Sequence, residues 1–199
     1  MEICNCEQLS PEWWKIRAKR MTASQAQAIS AQGAGLKTYI EKIMQEYYSN
    51  AEPDNFSNYH TDRGLDLENS AAMVYCFEKN VIVKKVGFIT MGDYVGCSPD
   101  LLVGDDGLVE IKAHADKAHF SLLLGNDFES KYRWQAQCQM LITGRKYCDL
   151  VSYNPNFNKY LVIKRQEPDQ EKFDKLLKGF ELGEKMIKEI EYKMNKIGA

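Results

Sequence analysis

The sequence predicts an α/β fold in which a mixed central β-sheet is flanked by helices. Short apolar and β-branched runs, separated by Gly and Asp turns, fill residues 81–112 and predict strands. Segments with apolar residues at three- and four-residue spacing lie on both sides of this region and predict amphipathic helices. The chain has 199 residues and shows no internal repeat or linker, so a single domain spanning residues 1–199 is predicted.

The first two helices are predicted from their capping residues. Ser10-Pro11 combines an N-cap with a first-turn proline, which begins a short helix. Thr22 or Ser24 is predicted to begin the second helix, which runs to about Ala31. Residues 1–8 precede these helices and are interpreted as a frayed terminus.

A third and a fourth helix are predicted before the strands begin. The Gly33-Ala34-Gly35 segment is interpreted as a break, and Thr38 as the cap of the third helix. Residues 50–59 are rich in Asn, Pro, Asp and Ser and are predicted to form a mobile loop. The fourth helix is predicted from about residue 61 to 79, with Glu68 on or beside its apolar stripe.

Strands and helices then alternate to the end of the chain. The strands are predicted at residues 81–83, 87–89, 94–97, 101–103, 108–112, 147–153 and 160–164. The later helices are predicted at residues 116–124, 131–143 and 168–195. The turn Gly104-Asp105-Asp106-Gly107 predicts that the strands on either side of it pair as a hairpin.

Composition and charge exclude several classes of protein. No run of about 18 apolar residues predicts a transmembrane helix, and the acidic N-terminus does not resemble a signal peptide. The six cysteines form no C-x-x-C pair and only three His are present, which argues against zinc and for reduced thiols in a cytoplasm. The net charge of −2 does not indicate nucleic-acid binding, so DNA contacts would depend on local basic groups. Those groups, each also interpretable as an ordinary solvated face, are Lys15 with Arg17, Lys19 and Arg20, then Lys84–Lys85, Arg145–Lys146 and Lys164–Arg165.

Two carboxylates and one ammonium are predicted to converge on the hairpin. Strand alternation puts Glu110 and Lys112 on one face and Ile111 on the other, and Asp100 arrives from the neighbouring strand. Carboxylates without a thiolate suit Mg²⁺ or Mn²⁺, and a lysine beside them suits orienting or deprotonating a water molecule. This equipment is typical of metal-assisted phosphodiester hydrolysis, although a cross-strand ion pair on a solvated face would produce the same short pattern.

The pattern Pro99-Asp100 followed by Glu110-Ile111-Lys112 resembles the signature of the PD-(D/E)xK nuclease superfamily. Three further blocks make the chain similar to the phage lambda exonuclease family, the viral-type recombination nucleases. They are Trp13-Trp14-Lys15-Ile16-Arg17 with Thr22-Ala23-Ser24, Arg63-Gly64-Leu65-Asp66-Leu67-Glu68-Asn69, and Tyr132-Arg133-Trp134-Gln135-Ala136-Gln137-Cys138-Gln139-Met140. The resemblance implies a restriction-endonuclease-like core with the site at one edge of the sheet.

The resemblance also implies a set of metal ligands. Asp100, Glu110 and the carbonyl of Ile111 would hold the metal that polarises the phosphate, since a hard cation accepts backbone oxygen. Glu68 would be a further ligand, direct or through water, and would support a second Mg²⁺ or Mn²⁺ ion.

Two side chains are expected to act on the attacking water. Lys112 would position the water and balance charge. By resemblance, the amide of Gln135 would orient the lysine or the nucleophile. Gln137 is the competitor for this role if the helix register is shifted, and an exposed helical glutamine is the alternative.

Two residues, Arg17 and Ser24, match family positions that grip a phosphate at the DNA end, and Ser98 lies beside the site. Arg17 offers a bidentate fork, Ser24 lies near a helix start, and Ser98 would add a hydroxyl contact. Trp13 and Trp14 are candidates to stack on bases, although a Trp on a short amphipathic helix is more typical of a core. No side chain between residues 50 and 61 matches the wedge that opens the duplex end in the family.

The resemblance implies a metal-dependent 5′→3′ exonuclease that digests one strand of linear duplex DNA and leaves a 3′ single-stranded tail. It further implies a ring-shaped homotrimer, a single-strand annealing protein as partner, a phage origin and the cytoplasm of a bacterial host. The alternative is a PD-(D/E)xK endonuclease for DNA repair or restriction. A non-enzymatic DNA-end-binding module is a third interpretation, against which the intact set of acids and Lys112 argues.

Overall fold

The computed structural model describes residues 1–49 and 62–197, with side chains described from Leu67 onward after the gap. Its strands are Glu2–Cys4 (β1), Met21–Thr22 (β2), Val83–Lys84 (β3), Phe88–Met91 (β4), Val95–Cys97 (β5), Leu101–Val103 (β6), Gly107–Lys112 (β7), Tyr147–Tyr153 (β8) and Leu161–Gln166 (β9). Its α-helices are Pro11–Arg17 (α1), Ala26–Ala31 (α2), Ala34–Tyr48 (α3), Asp62–Lys79 (α4), Asp116–Leu123 (α5), Ser130–Thr143 (α6) and Gln170–Ile197 (α7). The prediction of a mixed α/β fold is confirmed.

The larger sheet has five strands in the order β3-β6-β7-β8-β9. Strands β7 and β8 run parallel, and the other neighbours are antiparallel, so the sheet is mixed. Leu101 pairs with Val109 across the predicted hairpin. This register places the start of β6 beside the end of β7, and with it Asp100 beside the Glu110–Lys112 segment.

The two faces of this sheet pack into separate cores because side chains alternate along each strand. On one face Leu108 and Leu150 are fully buried in a core that also contains residues of α2, α3, α6 and α7. On the other face Val109 and Ile111 pack with Tyr75 of α4. Glu110 shares the face of Leu108, so burial of the apolar neighbours carries this carboxylate inward as well.

The smaller sheet has the order β1-β4-β5-β2 and corrects one prediction. Residues 1–8 are not a frayed terminus, since Cys4 pairs with Phe88 in an antiparallel ladder. Strand β2 pairs in parallel with β5 and carries the chain from α1 to the turn that precedes α2. The smaller sheet thereby holds α1 next to the start of β6.

The start of the third helix was also predicted wrongly. Helix α3 begins at Ala34, so Ala34 and Gly35 belong to its first turn, and the predicted break after α2 is confined to Gln32 and Gly33. The N–H groups of Leu36 and Lys37 donate to the carbonyl of Gly33, at 3.1 and 3.3 Å, and Leu36 is fully buried. Burial of Leu36 therefore favours a helix start at Ala34. The hydroxyl of Thr38, read as a capping group, had predicted a later start. The predicted loop at residues 50–59 lies outside the described residues.

The strand predicted at residues 81–83 is displaced to Val83–Lys84. Ile82 is 92% exposed, so its apolar side chain contributes nothing to the core that would anchor a strand there. The other predicted strands lie within a few residues of the observed ones.

Several basic residues considered for DNA binding serve the fold instead. Arg145 Nη1 donates to the carbonyls of Gly104 and Gly107, at 2.8 and 2.7 Å, and thereby braces the β6–β7 turn. Arg165 donates to both carboxylate oxygens of the buried Asp149, at 2.8 and 2.9 Å. These hydrogen bonds tie part of each guanidinium to the fold.

All six cysteines, each within the described residues, are free thiols, and Cys97, Cys138 and Cys148 are buried. Burial raises the pKa of each of these three thiols. Among the described helices, none is both long and apolar enough to cross a membrane.

Candidate active site

A cavity of about 260 Å³ lies at the end of the larger sheet at which its central strand, β7, ends. Eight of the nine residues predicted for the site line it. They are Arg17, Ser24, Glu68, Ser98, Asp100, Glu110, Lys112 and Gln135. Ile111 is the exception, because its side chain points to the opposite face and packs with α4.

Glu110 accepts three hydrogen bonds in this cavity and is only 2% exposed. Its Oε1 accepts from Lys112 Nζ at 2.7 Å and from Gln135 Nε2 at 2.6 Å. Its Oε2 accepts from Gln139 Nε2 at 2.6 Å. Three donors therefore hold one buried carboxylate in a fixed orientation, which offsets the cost of removing its charge from water.

Asp100 is fixed by the neighbouring strand. Its Oδ2 accepts from the backbone N–H of Ile111 at 2.5 Å, which ties the start of β6 to the end of β7. Burial raises the pKa of the Asp100 carboxyl well above its ordinary value, and repulsion from Glu110 and Glu68 raises it further. Asp100 therefore lies where negative charge is already in excess.

Glu68 and Lys112 complete the charged group. Burial raises the pKa of Glu68, and Glu110 adds to the shift while Lys112 opposes it. Burial opposes the charge of Lys112, but Glu110 and Asp100 outweigh it and raise the lysine pKa. Lys112 is thus held as an ammonium beside these carboxylates.

This donor set fits a hard divalent cation. The three carboxylates offer oxygen ligands only, and their mutual repulsion would be relieved by a positive ion placed among them. Within residues 1–49 and 62–197, no three acidic, His or Cys side chains are already gathered as a metal-holding cluster. Metal binding by Asp100, Glu110, Glu68 and the Ile111 carbonyl stays a prediction.

The same cavity is also lined by the predicted phosphate contacts. The guanidinium of Arg17 lies over the Trp13 ring, 4.9 Å from its centroid, and its Nη2 donates weakly to Thr22 Oγ1 at 3.4 Å. Thr22 Oγ1 also lies 3.2 Å from Ser24 Oγ and 3.2 Å from the Tyr39 hydroxyl. Thr22, which was not predicted as a site residue, therefore links the arginine to the serine.

Ser98 lies in the same cavity, but its hydroxyl is already engaged. Ser98 Oγ donates to the carbonyl of Gly87 at 2.7 Å and accepts from Trp13 Nε1 at 2.8 Å. It can accept a further bond but can donate to a phosphate only by releasing Gly87. Trp13 is 4% exposed, which supports the core interpretation of this residue over base stacking.

Helix α6 delivers two amides to the site by its periodicity. Gln135 and Gln139 are one turn apart and both reach Glu110. Gln137 faces away, where it donates to the Glu167 carbonyl and accepts from the Asp169 N–H. Gln139 was not predicted as a site residue, although its four-residue spacing from Gln135 was the signal that could have identified it.

An aromatic residue closes the cavity beside the lysine. Lys112 Nζ lies 5.1 Å from the centroid of the Tyr132 ring, and Lys131 Nζ lies 4.8 Å from the same ring. Lys131 and Tyr132 both line the cavity. They add a second ammonium and a flat apolar surface to the site.

The sequence and the structure were compared with known proteins. The family model of the YqaJ-like viral recombinase domain matches residues 12–146. A search of the curated proteins finds no match.

Solved structures similar to this chain include two of one protein. They are the crystal structures of LHK-Exo, an alkaline exonuclease from Laribacter hongkongensis, alone and in complex with dAMP. Each is 29% identical, with a TM-score of 0.79, and the alignment covers 94% of this chain and 100% of that chain. A phage-related exonuclease from Haemophilus somnus 129PT is 14% identical with a TM-score of 0.66, covering 88% of this chain and 96% of its own, and shows the fold alone.

Proposed function

Since the chain belongs to the YqaJ-like viral recombinase domain family, we propose that it is a DNA exonuclease that hydrolyses one strand of linear duplex DNA. The relative with 29% identity, an alkaline exonuclease, supports the same activity. The observation that carries the proposal is the convergence of eight predicted residues on one cavity.

The carboxylates of this cavity would hold the metal. Mg²⁺ or Mn²⁺, in one or two ions bound by Asp100, Glu110, Glu68 and the Ile111 carbonyl, would supply Lewis-acid polarisation of the scissile phosphate. The protein's own contribution is to keep these oxygens apart from solvent and in register. The hydrogen bond from Ile111 to Asp100 and the three donors on Glu110 do this.

Lys112 and Gln135 would act on the nucleophile. Both donate to the same oxygen of Glu110, so their remaining N–H groups lie close together at the cavity. In this position they would hold the attacking water and offset the charge that develops on the phosphate. The raised pKa of Lys112 favours an ammonium that orients and neutralises over an amine that removes a proton.

The proposed direction of digestion rests on the resemblance to the family and is supported by the contacts around Arg17. Arg17, supported by Thr22 and Ser24, would bind the phosphate of a 5′ end, so digestion would run 5′→3′ and leave a 3′ single-stranded tail. The tail would be taken up by a single-strand annealing protein. A trimeric ring around the DNA would keep the enzyme on its substrate between cuts.

Linear and covalently closed duplexes test the activity. The purified protein, with Mg²⁺, is expected to digest end-labelled linear duplex and to leave closed circles intact. Omission of the metal and the Asp100→Asn variant are the controls, and both are expected to stop digestion. Equal cutting of circles would replace the exonuclease with the endonuclease alternative, and loss of neither substrate would overturn the nuclease assignment.

A further inference from the structure

A second cavity of about 610 Å³ adjoins the active-site cavity at Arg17 and Gln25, which line both. Residues of helix α1, of the turn after it and of helix α3 line this cavity, which we call the α1–α3 groove. Its volume is within the range of about 300–1,000 Å³ that is usual for small-molecule sites. It has no role in the chemistry described above.

The groove is cationic. Of the residues that the structure describes, Glu46 is the one acidic residue that lines the groove. Four basic residues line it as well: Arg17, Lys19, Arg20 and Lys42. Lys19 is committed to Glu191 at 2.6 Å, whereas Lys42 lies 3.7 Å from Glu46 and is largely exposed. Arg20 Nη1 donates to the carbonyl of Ile16, but its Nε is buried and finds no hydrogen-bond partner among the described residues. Lys42 therefore presents an exposed ammonium to an anion, and the Arg20 guanidinium adds positive charge beside it.

Three aromatic residues share the groove with these cations: Trp14, Tyr39 and Tyr47. The Tyr47 ring is 45% exposed, and Lys19 Nζ lies 5.2 Å from its centroid. Tyr39 is half-buried, and its hydroxyl accepts from the Thr22 N–H at 2.9 Å. An exposed ring beside cations, as at Tyr47, is a surface on which an unpaired base can stack while its phosphate is neutralised.

We propose that the α1–α3 groove binds the unpaired nucleotides of a single-stranded 5′ extension. The inference rests on the proposed function, because it places a DNA strand in the active-site cavity. A strand that passes Arg17 would enter the groove directly, with its bases on Tyr47 and its phosphates near Arg20 and Lys42. Arg17 would then contact an internal phosphate rather than a terminal one.

Binding to hairpin duplexes tests the groove separately from catalysis. The Asp100→Asn protein is titrated against a fluorescent hairpin that ends either blunt or in a short 5′ extension, and anisotropy is recorded. Adding Tyr47→Ala is expected to weaken binding of the extended hairpin by about fivefold or more, the low end for loss of one base–aromatic stack, and to leave blunt binding unchanged. Lys42→Ala is expected to act in the same direction and to reduce the salt dependence of extended binding.

A matched control lies on α7. Tyr192 is 62% exposed, and Lys196 Nζ lies 4.5 Å from its ring, so Tyr192→Ala removes a similar aromatic–cation pair outside the groove. It is expected to change neither affinity. Equal loss on both hairpins in the Tyr47 and Lys42 variants, or no loss on either, would overturn the proposal. A wild-type protein that binds as expected yet digests no DNA would instead overturn the proposed function.

Discussion

At the scale of single residues, Glu110 is where the site's hydrogen bonds meet. Glu110→Gln keeps the shape of the side chain but replaces one acceptor oxygen with a donor, facing Lys112, Gln135 and Gln139. We expect no cleavage in the time wild type takes to finish, with DNA binding retained. Digestion of labelled duplex and a parallel gel-shift measurement check this. Near wild-type turnover would remove Glu110 from the mechanism.

Arg17 is expected to read the phosphate at the DNA end. Its guanidinium lies over Trp13, so Arg17→Ala would remove the fork proposed to hold the phosphate together with one cation–π contact. Digestion of 5′-phosphorylated duplex should slow much more than digestion of 5′-hydroxyl duplex. Lys15→Ala, an exposed cation on the same helix, is the control and should slow both ends little. Equal slowing of the two ends by Arg17→Ala would make it a general backbone contact.

Sequence alone predicted the charged residues of the site better than the groups that hold them. Asp100, Glu110 and Lys112 follow from strand alternation and one hairpin, which are local. Thr22 was missed because its role depends on hydroxyl contacts with Arg17 and Ser24 that no motif predicts. Gln139 was missed although it shares a helix face with Gln135. The pattern also left Gln135 and Gln137 as competitors, and only the direction of α6 distinguishes them.

At the scale of elements, a buried ion pair links β8, β9 and α4. Asp149 is 1% exposed and accepts from Arg165 and from the Tyr75 hydroxyl at 2.7 Å. Asp149→Ala leaves both donors unpaired, so the free energy of unfolding should fall by about 2–4 kcal/mol, the partly exposed guanidinium keeping some hydration. Urea denaturation measures this. Lys146→Ala, which removes an exposed salt bridge to Asp106, should change the free energy of unfolding by less than about 1 kcal/mol.

A second ion pair fastens α7 to the segment after α1. Glu191 accepts from Lys19 at 2.6 Å and from the Tyr94 hydroxyl at 2.8 Å. Burial opposes the Glu191 charge, but these two bonds outweigh it and lower the Glu191 pKa. The Glu191 hydrogen bond raises the pKa of Lys19.

These pKa shifts determine whether the stability of the fold rises or falls with pH. A lowered carboxyl pKa gives stability that is present above the ordinary value of 4.5 and is lost as pH falls through the folded value. We expect Glu191→Gln to cost about 1 kcal/mol at neutral pH, and the difference from wild type to vanish in acid. Thermal melts at several pH values check this, with exposed Glu189→Gln on the same helix as the control. A constant difference down to pH values below the folded pKa would contradict the assignment.

Element boundaries show why part of the fold escaped prediction. Strands β6 and β7 are adjacent in sequence and carry their own turn, so they were predicted closely. Strand β1 has three residues and strand β2 has two, and they pair with β4 and β5 far along the chain. No local sequence pattern therefore predicts them. The start of α3 depends on burial of Leu36, which a prediction from capping residues does not take into account.

At the scale of the whole molecule, charge bears on assembly. The net charge is −2, and several basic residues outside the site are used within the fold, so a single chain should hold duplex DNA weakly. We therefore expect a closed ring, a trimer of about 69 kDa, three times the 22.9 kDa of one chain. Light scattering at micromolar concentration reads this mass directly. A monomer that releases trapped DNA after a few nucleotides would refute the ring.

Digestion from one chosen end is the central claim. A linear duplex carrying different labels at the 5′ and 3′ ends of one strand, with only the 5′ end of the complementary strand blocked, tests this claim most directly in the presence of Mg²⁺. The 5′ label is predicted to be released early as a mononucleotide, while the fragment that carries the 3′ label becomes progressively shorter. Neither change is expected in the Glu110→Gln protein. Early release of the 3′ label, internal cuts that separate the labels at once, or unchanged release by Glu110→Gln would contradict it.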